Sequence, residues 1–129
     1  MEIIKYMLIV GAGSFVGGAL RYLLSFFVSS VAGGGFPWGT LAVNVAGCFL
    51  FGVVYAFFAR YNMLQGGFYL LLATGVMGGF TTFSAFSHEA VQLFQSGALV
   101  AFIAYVAMNV LCGLLAVAVG YSVASWLVG

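Results

Sequence analysis

The chain has 129 residues, of which 65% are hydrophobic and 4% are charged, and its mean hydropathy is +1.24. A soluble domain needs about 25% charged residues to cover its surface, so this composition excludes that class and indicates an integral membrane protein. The net charge of +1, with so few basic residues, leaves no basic surface for nucleic acid.

Four segments are apolar and long enough to cross a bilayer, which takes about 20 residues as a helix. They cover residues 4–31, 39–60, 67–92 and 97–128. Each connection is short, so consecutive helices should be antiparallel neighbours within a single integral membrane domain, residues 1–129. The predicted fold class is an all-α membrane protein with four transmembrane helices.

Small residues recur at four-residue spacing, which lets helices approach closely in a membrane. These residues are Gly13 with Gly17, Gly75 with Gly79, and Ala116 with Gly120 and Ala124. Residues 11–17 (GAGSFVG) also resemble a dinucleotide fingerprint, but they lack the preceding strand and the acidic residue about 20 positions on. We interpret them as helix-packing residues. Four short helices enclose little space, so we expect an oligomer.

Arg21 lies deep in the first apolar segment, where a charge is costly unless it reaches an interface, a partner or a wet cavity. It either extends to the membrane surface or provides a fixed positive charge that draws anions into a vestibule. Lys5 and Arg60 fall on the side of the termini, and Arg21 falls towards the other. This small difference in positive charge between the two sides of the membrane is compatible with a chain that inserts in both orientations and pairs with its inverted copy.

Polar residues are rare in the second and fourth segments. Asn44 is the only amide in the second, where it serves either as an interhelical hydrogen bond or as a pore residue whose two N–H donors suit an anion. Tyr105 and Asn109 lie one turn apart on the same face of the fourth segment. They form either a buried hydrogen-bonded pair or a polar track.

The third segment contains an unusual stretch, Gly75 to Phe86, that combines glycines, hydroxyl side chains and phenylalanines. We predict that this helix is broken near its middle, within residues 75–81. Irregular backbone at membrane depth is tolerated only where it is buried in protein or lines a wet cavity. The break is therefore expected to be a permeation or ion site.

Phe80, Phe83 and Phe86 recur every three residues and would share one face of a helix tightened to three residues per turn. They are either packing aromatics or rings whose positive edges face an anion. The neighbouring hydroxyls could replace water around a small anion, whereas carbonyls freed by the break would bind a cation such as Na⁺. The residue pattern alone therefore fits an anion site and a cation site equally.

The chain offers little for enzymatic catalysis. Glu89 with His88 is its one acid–base pair near a candidate site, and no nucleophile has a credible base and orienting group. We therefore predict that the protein is not an enzyme.

Three motifs carry a family resemblance: GGFTTFSAF at residues 78–86, GTLAVN at 39–44 and GGALRY at 17–22. With its length and four predicted spans, the chain resembles the Fluc family of small bacterial fluoride channels, also called CrcB proteins. The resemblance implies an antiparallel, dual-topology homodimer in the bacterial cytoplasmic (inner) membrane. Such a dimer has two pathways, each lined by both copies, and exports F⁻ passively with exclusion of chloride, which lowers fluoride toxicity.

The resemblance also implies roles for individual residues. Phe83 and Phe86 would form the family's phenylalanine box, whose ring edges contact fluoride, and Asn44 would line the pore. The other pathway residues would be Thr82, Ser84, Tyr105, Asn109 and Arg21. The carbonyls of Gly78 and Thr81, two per copy, would hold a structural Na⁺ on the dimer axis. Four carbonyls without a carboxylate suit a monovalent cation better than a divalent one.

The chain departs from the family pattern at three positions. Ala85 stands where a threonine is common, and Asn109 and Gly113 stand where serine is frequent.

Two other functions fit four short spans. A proton-coupled small multidrug-type exporter requires a membrane-embedded carboxylate, whereas the first segment carries Arg21 and no acid, and Glu89 lies near a helix end. A non-transporting assembly subunit would give the hydroxyl-rich third segment no purpose.

Overall fold

The computed structural model describes all of residues 1–129 as four long apolar helices joined by short connections. The first two helices are α1 (Glu2–Ala32) and α2 (Trp38–Arg60). The third span, Gly67–Gln95, consists of α3 (67–80) and α4 (Phe83–Gln95), and the fourth is α5 (Leu99–Val128). Each of the four spans is long and apolar enough to cross a membrane. The predictions of an all-helical chain with four spans and a broken third helix are therefore confirmed.

The sequence explains where α1 ends and α2 begins. Gly33 and Gly34 follow α1 with φ of 61° and 77°, a left-handed conformation that only glycine adopts readily. Pro37 then stands at the N-cap of α2, where its missing N–H costs no helical hydrogen bond. The connection between the two helices is therefore a tight hairpin.

Glycine contacts set the closest helix approaches. A Cβ at Gly17 of α1 would collide with the Val76 carbonyl oxygen of α3, and a Cβ at Gly75 would lie 2.9 Å from the Gly13 Cα. On the other side of the chain, a Cβ at Gly120 of α5 would collide with the Phe49 carbonyl oxygen of α2. The small-residue rows are therefore helix-packing surfaces, as the sequence predicts.

We expect Gly17→Ala to destabilise the protein by about 1–3 kcal/mol, because the added methyl group must push α1 and α3 apart. Thermal unfolding in detergent measures this effect. Gly11→Ala is the matched control, since a Cβ at that position would have nothing within 4 Å and alanine favours the helix. Equal melting temperatures for the two variants would contradict the close contact.

The break in the third span is shorter than predicted and lies further along the chain. Gly75 to Phe80 is helical, including part of a wider π-helical stretch over Leu70–Met77, and only Thr81 and Thr82 leave the helix. Their φ/ψ values, −92°/159° and −148°/120°, are extended. The prediction of a break over residues 75–81 is wrong for residues 75–80, because the glycines pack against α1 as helix, and is correct only at Thr81. The β-branched threonines, which favour extended backbone, form the break instead.

The three phenylalanines do not share one face, because two extended residues separate Phe80 from the helix that carries the others. Phe80 is 7% exposed and lies against Gly47 of α2, whereas Phe83 is 78% exposed and Phe86 is 8% exposed. The alignment predicted from the three-residue spacing is therefore wrong for Phe80. Phe83 and Phe86 remain neighbours, with ring centroids 5.6 Å apart.

Candidate functional site

The break is held by the side-chain amide of Asn44 on α2. Its Oδ1 accepts the Thr82 backbone N–H at 2.8 Å, and its Nδ2 donates to the Thr82 carbonyl at 3.0 Å. In an unbroken helix the Thr82 N–H would bond to the Gly78 carbonyl four residues earlier. The amide therefore replaces the bond that the break removes.

Asn44 also connects the break to α5. Its Nδ2 donates to Asn109 Oδ1 at 2.9 Å, and Asn109 Nδ2 donates to the Tyr105 carbonyl at 3.0 Å. Of the two interpretations of Asn44, the structure displays the interhelical hydrogen bond. Its role in an ion pathway stays a prediction.

Arg21 reaches the C-terminal end of α3. Its Nε–H donates to the Gly79 carbonyl at 3.0 Å, and the side chain is half-buried. The last carbonyls of a helix carry a partial negative charge, so a guanidinium is favourable there. Arg21 therefore bonds to the last turn of α3, just before the break, which neither interpretation of the sequence included. Its role in drawing anions stays a prediction.

The threonine hydroxyls complete the local structure of the break. Thr81 Oγ1 donates to the Met77 carbonyl at 3.1 Å, while Thr82 Oγ1 accepts the Ala85 N–H at 3.2 Å and so caps the N-terminus of α4. Thr82 Oγ1 and Ser84 Oγ lie 3.3 Å apart, and Ser84 is exposed. The cap uses the Thr82 oxygen as an acceptor, so one hydroxyl hydrogen of the Thr82–Ser84 pair is left to donate to a ligand.

A groove with a volume of about 350 Å³ lies beside the break, between α2, α4 and α5. It contains five of the predicted pathway residues, namely Asn44, Thr82, Phe83, Phe86 and Asn109. The two rings meet at an interplanar angle of 62°, so the edge of one faces the other. The two rings and the polar side chains of Asn44, Thr82 and Asn109 therefore line one opening on the side of the chain.

Tyr105 does not line this groove. Its side chain is fully buried, its ring packs 5.4 Å from the centroid of Phe86, and its hydroxyl donates to Glu89 Oε1 at 3.2 Å. Thr40 donates to the same carboxylate oxygen. The Tyr105 hydroxyl thus bonds to Glu89 and not to Asn109, whose side chain reaches only the Tyr105 backbone carbonyl. A pathway role for Tyr105 stays a prediction.

Two carbonyls near the break lack their usual helical partners. The Thr82 N–H, which would bond to the Gly78 carbonyl in a continuing helix, donates to Asn44 instead. The Thr81 carbonyl lies outside any helix and accepts no hydrogen bond in the chain. Gly78 is exposed and Thr81 is half-buried. These oxygens are the type of donor that a hard cation binds.

Comparison with known proteins identifies the family. The model of the family described as "CrcB-like protein, Camphor Resistance (CrcB)" matches residues 8–121. The chain belongs to the CrcB-like family. The resemblance that the sequence motifs indicate is thereby confirmed.

Curated relatives of this CrcB-like chain carry the name "Fluoride-specific ion channel FluC". The protein of Rhizobium johnstonii is 45% identical over 116 residues, which cover 90% of this chain and 93% of the relative. That of Leptospira interrogans is 41% identical over 114 residues, covering 88% and 90%. That of Clostridium perfringens is 40% identical over 124 residues, covering 96% and 97%.

The structure of this CrcB-like chain also reveals partners that sequence reasoning missed. The Arg21–Gly79 and Thr40–Glu89 hydrogen bonds join residues that are 58 and 49 positions apart. The signal for Glu89 was weak but present, since a carboxylate near the end of an apolar span normally requires hydrogen-bond donors. Nothing in the sequence identified which donors would reach it.

Proposed function

We propose that this chain is a fluoride channel that lets F⁻ leave the bacterial cytoplasm passively through the inner membrane, lowering fluoride toxicity. The groove beside the Thr81–Thr82 break carries the proposal, because it combines phenylalanine edges with amide and hydroxyl donors. The names of the curated relatives in the same family support the choice of ion.

The chemistry of the groove suits a small, strongly hydrated anion. Phe83 and Phe86 line the groove with rings whose edges are weakly positive. Ser84, whose Oγ lies 3.3 Å from Oγ1 of the groove residue Thr82, provides an exposed hydroxyl beside it. Such groups replace part of the hydration shell without a full positive charge, so an ion can enter and also leave. Arg21, bonded to the end of α3, adds a positive charge nearby that favours anions over cations.

We propose that the functional unit is an antiparallel homodimer with two pathways. The groove is open on one side, and Phe83 remains 78% exposed in the isolated chain. A second copy placed against this side would provide the missing wall and shield the ion from lipid. The weak charge asymmetry between the two ends of the chain is compatible with insertion in both orientations.

We further propose that Na⁺ stabilises this dimer through the carbonyls of Gly78 and Thr81. Both oxygens lack a helical hydrogen-bond donor, and two copies together would supply four neutral oxygen ligands. When bound, the ion would supply the positive charge that satisfies these carbonyls. The chain's part is to keep them unpaired: Asn44 takes the Thr82 N–H that would bond to Gly78, and Thr82 Oγ1 takes the Ala85 N–H that would bond to Thr81.

Na⁺ should therefore be required for an intact dimer. Replacing it by the bulky cation N-methyl-D-glucamine during purification is expected to lower the melting temperature and the fluoride flux together, because the four carbonyls would lose their ligand. Restoring Na⁺ should recover both, and K⁺ serves as a control for ionic strength. An equal melting temperature and an equal fluoride flux in Na⁺ and in N-methyl-D-glucamine would contradict this Na⁺ site.

The transport mode can be tested in liposomes loaded with potassium fluoride. Passive conduction moves net charge, so fluoride efflux should begin only when a potassium ionophore provides a path for the compensating charge. A proton-coupled exporter would instead release fluoride without the ionophore when a pH gradient is imposed. Efflux that follows the pH gradient and ignores the ionophore would overturn the proposal of a channel.

A further inference from the structure

Arg21 is held at the end of α3 by a hydrogen bond whose position is fixed by helix packing. Its Nε–H donates to the Gly79 carbonyl at 3.0 Å. A Cβ at Gly79 would lie 2.7 Å from the Ser14 carbonyl oxygen and 3.1 Å from the Gly18 nitrogen, so α1 and α3 touch at this point. Arg21 follows Gly18 by three residues and therefore lies on the same face of α1. The side chain is consequently directed to the last turn of α3.

The charge of Arg21 has no carboxylate partner. The chain contains two acidic residues. Glu2 lies in the first turn of α1, and Glu89 Oε1 accepts hydrogen bonds from Thr40 and Tyr105. The side chain of Arg21 bonds only to a neutral backbone carbonyl. An uncompensated, half-buried positive charge therefore stands at the end of α3.

This charge lies beside the two carbonyls that we propose as ligands of Na⁺. Gly78 immediately precedes Gly79, and Thr81 follows Gly79 by two residues. Backbone carbonyls are ligands of Ca²⁺ as well as of Na⁺, so the type of ligand does not by itself exclude a divalent cation. A nearby positive charge does, because its repulsion is proportional to the charge of the approaching ion.

We infer that Arg21 is a specificity-determining residue of this cation site, which repels divalent cations and leaves the site to a monovalent one. The inference rests on the proposed Na⁺ site and differs from the attraction of anions that the sequence predicts for Arg21. Each copy of the proposed antiparallel dimer would bring its own Arg21 to the shared site, so the repulsion acts twice. The same charge weakens Na⁺ binding by half as much in free energy, since Na⁺ carries half the charge of Ca²⁺.

Arg21→Gln tests the inference because it removes the charge and retains the hydrogen bond. Glutamine Nε2 is the same number of bonds from Cα as arginine Nε, the atom that donates to Gly79. Two unit charges within about 10 Å of each other, at an effective dielectric constant of about 20, change a binding constant by about tenfold or more. The Na⁺ concentration that gives half of the thermal stabilisation should therefore fall by about tenfold or more, and the Ca²⁺ concentration by about a hundredfold or more.

The measurement is the melting temperature of the detergent-purified protein, titrated with NaCl or CaCl₂ in N-methyl-D-glucamine chloride at constant ionic strength. The buffer contains no fluoride, because Ca²⁺ would precipitate it. An electrostatic effect is twice as large for Ca²⁺ as for Na⁺ on a logarithmic scale, whereas a loosened site would weaken the binding of both ions. Arg21→Lys retains the charge and should keep the cation preference of the wild type. Arg60→Gln, which removes an exposed charge at the end of α2, is the control.

Several outcomes would overturn the inference. Equal stabilisation of the wild-type protein by Ca²⁺ and Na⁺ at the same concentration would show that the site does not exclude divalent cations, even if Arg21→Gln fails to fold. Equal logarithmic shifts for the two ions in Arg21→Gln, or none, would show that the charge of Arg21 does not set the preference, as would a loss of preference in Arg21→Lys. A wild-type melting temperature that does not respond to Na⁺ would instead refute the proposed Na⁺ site itself, so the two failures are distinguishable.

Discussion

Phe83→Ile is expected to reduce fluoride flux by about 100-fold or more while the chain stays folded. The phenyl edge is weakly positive, whereas an isoleucine side chain offers a desolvated anion no compensating charge. Leaving a desolvated charge without a partner costs about 3–5 kcal/mol, and each 1.4 kcal/mol corresponds to a factor of ten. Because the ring is 78% exposed, its removal deletes little packing within the chain. Initial fluoride efflux from liposomes measures the effect.

Phe15→Ile is the matched control for this experiment. Phe15 on α1 is 79% exposed, which is close to the exposure of Phe83, but it lies away from the groove. The control should keep the wild-type flux and the same elution volume in size-exclusion chromatography. Phe86→Ile is a less clear test, because Phe86 is 8% exposed and packs against Tyr105. If Phe83→Ile conducts like the control, the ring-edge argument is wrong.

Asn44→Leu should have an effect of a different kind, because it removes the hydrogen bonds that hold Thr82 in the break. The substitution leaves the Thr82 N–H, the Thr82 carbonyl and Asn109 Oδ1 without partners, at about 1–3 kcal/mol for each unpaired buried group. At low protein density, the total fluoride released reports the fraction of vesicles that hold an active channel. We expect this active fraction to fall to about a tenth or less of the wild-type value. The melting temperature should also lose its dependence on Na⁺, since the carbonyls beside Thr82 are no longer held.

Gln95→Leu provides the control for removing an amide. Gln95 is exposed at the end of α4 and makes no side-chain hydrogen bond within the chain. It should leave both the active fraction and the response to Na⁺ unchanged. A normal fraction of active vesicles in Asn44→Leu, with a reduced rate in each vesicle, would contradict its role in holding the break and make it an anion ligand.

The sequence was sufficient for the architecture because the relevant signals are local. Hydropathy identified the four spans, and the concentration of glycines, hydroxyls and phenylalanines in one span indicated that it is broken. The four-residue glycine spacing likewise identified the packing faces of α1 and α3. These features follow from composition and periodicity along a single segment.

The position of the break depended on contacts between segments. Gly75 and Gly79 would weaken an isolated helix, yet their surfaces are covered by α1, which stabilises them in a helix. The two threonines leave the helix instead, where Asn44 is available to satisfy Thr82. A pattern within one segment cannot indicate which backbone groups a distant side chain will satisfy.

The sequence predicted the residues of the site more completely than the hydrogen bonds that they make. The groove does contain Phe83, Phe86, Asn44 and Asn109 together. However, the donors of Asn44 are occupied and Tyr105 is buried against Glu89. Whether a polar side chain is free or engaged depends on the geometry of four helices at once, and residue type and spacing do not encode it.

The central claim is that this chain conducts fluoride selectively. It is tested most directly by reconstituting the purified protein in liposomes loaded with fluoride and chloride together and recording both ions with selective electrodes after a potassium ionophore is added. We expect rapid fluoride efflux, with chloride efflux no faster than from protein-free vesicles. Fluoride release at the protein-free rate, or equal release of both ions, would contradict it.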